Sequence, residues 1–441
     1  MIEKSQNIFE NVVVRIPPSP TGNLHIGTAR TALFNYLFAR QNKGKVILRM
    51  EDTDTQRSTK GFEENIIEGL NWLGLSWDNK EIYRQSERYE IYKKYLEKML
   101  KKGSAYVSKE EIKEEDQRSE VIRFKNPNEK ITFNDVIRGE ITFDTTELGD
   151  FIIAKSVEEP LYHLAVVIDD LEMKISHVIR GEDHISNTPR QILLQRAIGA
   201  PTPIYAHIPL ILSADKSKMS KRHGATALTL YRDRGYLPEA IINFLALLGW
   251  NPGTEKEIFS LEDLIKEFDL SRVQKGGAVF NEVKLKSINR YYIKQLPDEK
   301  IAKIIKEVKP DVPKEKIFSI TPLIKERIDT LGDIKNMLNS GEFDFAWSEP
   351  VIEDPGRLLW KSDDKETAKK HLEEISKMLG AGQGKEEIME YAEKQGKGSV
   401  LWPLRYALSG QEKSPDPFTI LGIIGKHETQ NRIKKAVTLL S

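Results

Sequence analysis

Apolar and polar positions follow two registers along this chain, and the change of register divides it. Val12-Val13-Val14 is a short apolar run of the kind that forms a buried strand, and Ala29, Ala32, Leu33, Tyr36, Leu37 and Ala39 recur at helical spacing over Thr28 to Arg40. Between them lies a proline- and glycine-rich turn, Arg15 to Gly27, so the chain is expected to run strand, turn, helix. Val46 to Met50 predicts a second buried strand, ending in Glu51-Asp52-Thr53-Asp54. Strand, helix, strand is a parallel crossover unit. Helices are expected from about Gly61 to Leu73 and from about Glu87 to Lys102, closed by Gly74 and Gly103.

From Ser104 to Ile179 the pattern changes. A charged segment, Lys109 to Glu120, leads into alternating runs around Ile131-Thr132-Phe133, Glu140 to Phe143 and Phe151 to Ala154, which predict an α+β insertion between two halves of a nucleotide-binding fold. Leu164 to Asp170 reads as a further strand with acidic residues at its end. Helix Thr188 to Ile198, strand Tyr205 to Leu212 and a loop, Ser213 to Gly224, resume the α/β order. Beyond Pro238 the pattern is mostly helical, with Ala240 to Leu248, Leu261 to Phe268, and a lysine- and glutamate-rich remainder from Glu299. The boundary between the two halves is expected near Arg272 to Asn281.

Composition narrows the classes of function. At 441 residues the chain exceeds one ordinary core, which implies several domains. Its 39% hydrophobic and 30% charged residues, without a leader-like or bilayer-length apolar span, predict a soluble protein with the cytoplasm as default location and no membrane partner. The absence of cysteine removes disulfides, thiol catalysis and cysteine-ligated zinc, and the eight histidines show no metal-ligand spacing. Lys plus Arg equals Asp plus Glu at 67 each, so a polyanionic partner would have to meet a local basic patch.

Two stretches carry candidate chemistry. A turn with His25 and Gly27 opening a helix presents backbone N–H groups and a helix dipole to a phosphate. Far along the chain, Asp215 to Gly224 is a strongly cationic loop after a strand. A lysine cluster alone is usually a solvated surface. Together the two stretches make a clamp for a triphosphate, with cations and N–H donors for charge that develops as pyrophosphate leaves.

At these residues the chain resembles a known family. His25-Ile26-Gly27-Thr28 and Lys218-Met219-Ser220-Lys221-Arg222 are similar to the HIGH and KMSKS signatures of class I aminoacyl-tRNA synthetases. Arg15 to Gly22, Arg49 to Asp54, Tyr83 to Ser86, Val178 to Asp183, Asn187 to Gln191, Leu401 to Arg405 and Ile420 to Arg432 resemble bacterial-type glutamyl-tRNA synthetases, nearly the whole chain. The resemblance implies a Rossmann-like parallel-sheet catalytic domain with an α+β insertion, followed by an all-α anticodon-binding half. Its implied boundaries are 1–103 and 180–250 for the catalytic halves, 104–179 for an acceptor-binding insertion, 251–320 for a helical stem-contact domain and 321–441 for an anticodon-binding domain.

The implied activity is ATP-dependent ligation of L-glutamate to tRNA(Glu) through a glutamyl-adenylate, with tRNA(Gln) as a further acceptor in some members. ATP with Mg2+ is the implied cofactor, a monomer the implied state, and no structural zinc is expected because Gly103-Ser104-Ala105-Tyr106 is followed by no cysteine. For glutamate the resemblance points to Arg15, Pro17, Ser19, Glu51, Tyr162 and Arg180; for ATP, to His25, Gly27, Thr28, Asp183, Ile211, Lys218, Met219, Ser220, Lys221 and Arg222. His25, Lys218 and Lys221 are the expected catalytic groups. Thr28 departs from the general motif, where many class I enzymes have a second histidine, but not from the glutamate branch. Plainer readings remain open: Arg15 paired with Glu51 or Asp52, Glu51 as the partner of Arg49, and Tyr162 as a packed aromatic. The alternatives for the whole chain are a glutaminyl-tRNA synthetase, for which a β-barrel second half would be expected, and a synthetase-like tRNA-binding protein without catalysis. Candidate RNA surfaces are Lys284, Lys286, Arg290 and Lys294, and Arg432 to Lys435.

Overall fold

The apolar run at the start of the chain forms β1 (Val13–Ile16), and the proline-rich turn leads into α1 (Ile26–Gln41) and β2 (Lys45–Met50). The computed structural model describes residues 10–110, 119–219 and 227–441. α2 (Lys60–Trp72) starts on the side chain of Thr59, which accepts from the Phe62 N–H. β3 (Tyr83–Arg84) and α3 (Tyr89–Lys102) follow, and Gly103 ends α3 in the left-handed conformation at φ 75°. β1, β2 and β3 pair in parallel, as the crossover pattern requires.

The next segment contributes β4 (Ala105–Lys109), β5 (Glu120–Phe124), β6 (Lys130–Asp135), β7 (Gly139–Asp144), β8 (Phe151–Ser156) and β9 (Glu159–Pro160). β4, β5, β8 and β9 form an antiparallel sheet. The hairpin of β6 and β7 instead joins the edge of a parallel pair, β10 (His177–Gly181) and β11 (Ile204–Ile208), through Tyr205 opposite Asp135. The stretch Leu164 to Asp170 is not a strand. It lies in a helix, α4 (Tyr162–Glu172), in which every residue from Leu164 to Asp170 is buried. A short apolar run without a polar face does not reveal its period, so strand and helix cannot be told apart from the pattern. The expected strand Tyr205 to Leu212 is also interrupted: β11 stops at Ile208, and Pro209-Leu210 separates it from β12 (Ile211–Leu212). Between β10 and β11 runs α5 (Thr188–Ile198), as expected.

Ser176 ties β10 to β1, since its N–H donates to Val13 O at 2.9 Å and its Oγ accepts from Val13 N at 2.8 Å. From β1 the chain crosses over α1 to β2 on one side, and from β10 it crosses over α5 to β11 on the other. The strand order therefore reverses between β1 and β10, and ligands of open α/β sheets bind in the crevice at the carboxyl ends of such strands. One core runs beneath: Tyr92 and Leu96 of α3, Ile122 and Phe133 from the strands, Leu164 and Ile168 of α4, and Leu193 and Tyr205 are all buried together.

After residue 226 come α6 (Leu228–Asp233), α7 (Pro238–Leu247), α8 (Leu261–Glu267), the short β13 (Ala278–Val279) beside β12, and α9 (Glu282–Gln295). The chain divides into units meeting at Asn289 and Arg290. The second contains α10 (Asp298–Val308), α11 (Lys314–Arg327), α12 (Gly332–Asn339), α13 (Lys365–Gly380), α14 (Lys385–Gln395), α15 (Lys397–Ser409), α16 (Pro417–Ile424) and α17 (Lys426–Leu440). It holds its own core, with Leu372, Ile375, Leu404 and Ile433 fully buried where α13, α15 and α17 pack. No helix among the described residues is long and apolar enough to cross a membrane.

Candidate active site

Strand ends and α4 deliver charged side chains to the crevice. Arg15, near the end of β1, is buried and donates from Nη1 to Ile179 O at 3.3 Å, with Nε 3.6 Å from Asp170 of α4. It is therefore paired with neither Glu51 nor Asp52; Asp52 instead accepts from the N–H and hydroxyl of Ser86, at 2.9 and 2.6 Å. Arg49 of β2 is fully enclosed, donating to Asp170 at 2.8 Å and to Glu51 at 3.0 Å. Burial alone would weaken its hold on a proton, but Asp170, Asp169 and Glu51 outweigh that and hold its pKa above the ordinary arginine value. Glu51 has the partner that its proximity to Arg49 suggested. Burial nevertheless pushes its carboxyl above the usual range, because Arg49 and Arg15 offset only part of the desolvation.

The turn between β1 and α1 is pinned to this cluster. Pro18 O accepts from Glu51 N at 2.9 Å and Pro20 O from Thr59 N at 3.1 Å, which sets half-buried Pro17 and exposed Ser19 at the rim above Glu51. Tyr162 opens α4 with its ring 6.2 Å from that of His184, and burial, with Glu51 nearby, pushes its phenol up to about 12.

Arg180, near the end of β10, is the most informative side chain. It is 5% exposed, and it donates to His207 Nε2 at 3.1 Å, Gln191 Oε1 at 2.8 Å, Thr188 Oγ1 at 2.9 Å and His184 O at 3.3 Å. Every one of these acceptors is neutral. Burial, with Arg15 adding repulsion, lowers its pKa from the ordinary arginine value. A buried guanidinium without a paired carboxylate, beside a second arginine, is a site prepared for an anion.

At the start of α1, His25 is the helix cap. Its Nδ1 accepts from the Gly27 N–H at 3.1 Å and the Thr28 N–H at 3.3 Å, and Nε2 lies 3.0 Å from Thr28 Oγ1. The imidazole thus occupies the N-terminal end of the helix itself, where the sequence suggests a phosphate. A Cβ on Gly27 would meet His25 Cε1 at 2.9 Å, so the glycine first makes room for this ring. The cationic loop is anchored on both sides. Met219 N donates to Ile211 O at 3.0 Å, and Lys218 Nζ reaches Asp183 at 3.1 Å. On the far side Ala227 bridges His25, and Leu228 N donates to Leu24 O at 2.8 Å. Ser220, Lys221 and Arg222 lie outside the described residues. The described flanks of the cationic loop thus reach Asp183 and Ile211 on one side and the His25 turn on the other.

Comparison with known proteins agrees with this geometry. A family model described as tRNA synthetases class I (E and Q), catalytic domain, matches residues 11–120 and 108–287, and an anticodon binding domain model matches 292–437. A glutamate–tRNA ligase of Carboxydothermus hydrogenoformans is 40% identical over 96% of this chain and 99% of its own length. One of Aquifex aeolicus is 39% identical over 98% of this chain and all of its own. The crystal structure of a glutamate tRNA ligase from Elizabethkingia meningosepticum, in complex with its amino acid, superposes with a TM-score of 0.86 at 37% identity, covering 98% of this chain and all of that one. The chain belongs to the glutamate–tRNA ligase family.

Within that family frame, several site residues escaped the pattern of the sequence. Asp169 and Asp170, adjacent on buried α4, are the carboxylates on which Arg49 converges, and Asp169 further accepts from Arg88 at 2.7 Å, Tyr92 at 2.9 Å and Gln85 at 3.0 Å. Acidic residues inside an apolar run were the available signal, because buried carboxylates require partners. In the second unit Arg432 is not an outward RNA contact. It is buried and donates to Phe345 O at 2.9 Å, Leu408 O at 2.7 Å and Ser348 O at 3.0 Å. Of the other basic candidates, five form surface pairs, Lys284 with Glu257, Lys286 with Glu282, Arg290 with Asp329, Lys294 with Glu326 and Lys435 with Glu349. Such exposed pairs hold their cations weakly, so polyphosphate can compete for them.

Proposed function

We propose that this chain joins L-glutamate to tRNA(Glu) at the expense of ATP, through a glutamyl-adenylate. The observation that carries the reading is Arg180, a buried cation held only by neutral acceptors next to Arg15 at the reversal of strand order. In this reading Arg15 and Arg180 receive carboxylate charge of glutamate, a task suited to the planar guanidinium fork. Glu51 and Ser19 receive the α-ammonium, with Pro17 and Tyr162 walling the site. His25, Gly27 and Thr28 line the phosphates, Asp183 and Ile211 the adenosine, and Lys218 to Arg222 supply contacts and positive charge to ATP.

The glutamate α-carboxylate attacks the α-phosphorus of ATP and pyrophosphate leaves; a ribose hydroxyl of the terminal tRNA adenosine then attacks the mixed anhydride and releases AMP. No enzyme nucleophile is needed, so positioning and charge stabilisation carry the rate. Mg2+ enters as part of the nucleotide substrate. Among the described residues no group of three His, Asp or Glu side chains stands ready to hold a metal.

The segment matched by the anticodon model is the proposed reader of the anticodon, and residues 104–179 the proposed seat of the acceptor end. Aminoacylation of purified isoacceptors with labelled glutamate and glutamine tests the whole reading. Glutamate on tRNA(Glu) is the expected product, and glutamate on tRNA(Gln) would mark the broader acceptor range. Labelled glutamine on either tRNA, or no charging, would contradict it.

A further inference from the structure

We infer that His207, held by Asp135, is a positioning residue that aims Arg180 at its substrate carboxylate. The inference rests on the reading of Arg180 as a glutamate contact. Asp135 closes β6 and His207 lies in β11; both are buried, at 1% and 0% exposure. His207 Nδ1 lies 2.6 Å from Asp135 Oδ2, and Arg180 Nε donates to His207 Nε2 at 3.1 Å. A guanidinium N–H can only donate, so Nε2 must present its lone pair. The imidazole proton then sits on Nδ1, where the carboxylate accepts it. Both neighbours select the same tautomer.

The chain of contacts is rigid at each end. Asp135 also accepts from Ile137 N at 3.0 Å, Arg138 N at 2.9 Å and His207 N at 3.1 Å, so its carboxylate is fixed from its own turn. The His207 ring lies almost parallel to Tyr205, at 9° and 6.0 Å, and 6.4 Å from Phe133. Arg180 is thereby oriented through Nε, while Gln191, Thr188 and His184 take three further N–H groups and leave one on Nη1 for a ligand. With an amide at position 135, the oxygen stays on the turn N–H groups and the NH2 stands opposite His207 Nδ1, which drives the imidazole proton to Nε2. A proton there would face the Arg180 N–H and turn the guanidinium away. The charge of Arg180 would survive, but its direction would not.

The test is a steady-state series on the full chain, measuring kcat and KM for glutamate in aminoacylation. Asp135→Asn is expected to raise KM by about 10- to 100-fold, the equivalent of one hydrogen bond to a charged group, with kcat far less affected. His207→Gln with Asp135 intact is expected to keep KM within a few-fold of the parent. A primary amide has no tautomer, and it can turn its oxygen to Arg180 and its NH2 to the Asp135 carboxylate. Unchanged KM in Asp135→Asn, or a loss in His207→Gln as large as that in Asp135→Asn, overturns the positioning role and leaves Asp135 a turn-stabilising residue. Arg180→Gln in the same series separates the two claims. If it leaves KM for glutamate unchanged, the reading of Arg180 fails and the positioning role fails with it.

Discussion

Lys218 Nζ stands 3.1 Å from the carboxylate of Asp183, and that pair joins the cationic loop to the turn after β10. Burial alone would raise the Asp183 pKa, but Lys218 and His184 more than reverse this, so the carboxyl is held below its ordinary value. Both partners are about half exposed, so the pair contributes little stability and ATP phosphates can take over Lys218 at small cost. Lys218→Ala should therefore slow pyrophosphate exchange, measured in the presence of tRNA, by roughly 100-fold or more with KM for glutamate nearly unchanged, since the lost contact is made mainly in the transition state. Lys221→Ala is expected to behave alike. Exchange at the parent rate in both variants would remove the loop from the chemistry.

Gly27→Ala should act through His25. The added methyl would stand 2.9 Å from His25 Cε1, so the ring must leave the N–H groups that it caps. If His25 lines the phosphates as proposed, displacing it by about 1 Å costs on the order of 100-fold in rate. Cooperative thermal unfolding with a large drop in kcat is the expected pair of results; full activity would show that the ring position does not matter.

Arg49→Met tests the buried charge cluster. It leaves Asp169, Asp170 and Glu51 without their common cation, and breaking a buried ionic network in this way costs about 3–5 kcal/mol. Denaturant unfolding should show that loss. A change under about 1 kcal/mol would mean that the cluster tolerates neutralisation of its carboxylates.

Acid should destabilise the first unit through its buried histidines. Burial lowers His163, His177 and His184 from 6.5 to about 4. Below about 6.5 the unfolded chain gains protons that the folded chain refuses, so stability is complete above that pH and is lost as pH falls towards about 4. His177 packs at 4.8 Å on Phe38 and bonds Ser176, away from the charged crevice. The melting temperature should decline between about pH 6.5 and about pH 4.5, and less steeply in His177→Gln. An equal slope in that variant would assign the decline to other groups.

Local pattern was sufficient for β1, α1 and β2, because short apolar runs bounded by turn residues and apolar positions at helical spacing over Thr28 to Arg40 announce their elements, and for the end of α3, which Gly103 marks. It failed for α4, where burial on all sides erased the polar face. The motif residues Arg15, Glu51 and Arg180 do converge, but the carboxylates that order the surrounding cluster are distant in sequence: Asp170 lies 121 positions from Arg49, and Asp135 lies 72 from His207. No window of neighbouring residues contains such pairs. Arg432 failed for the opposite reason, since a basic cluster on a helix hides which member turns inward.

The central claim is that buried arginines at the reversal of strand order choose glutamate by its charge. It is tested most directly by the ratio of kcat/KM for glutamate to that for glutamine, in the parent chain and in Arg15→Gln. The account predicts a strong preference for glutamate in the parent and a collapse of that ratio by about 100-fold or more in the variant, as expected when a charged partner is left without its counterpart. An unchanged ratio would mean that some other group reads the side-chain carboxylate.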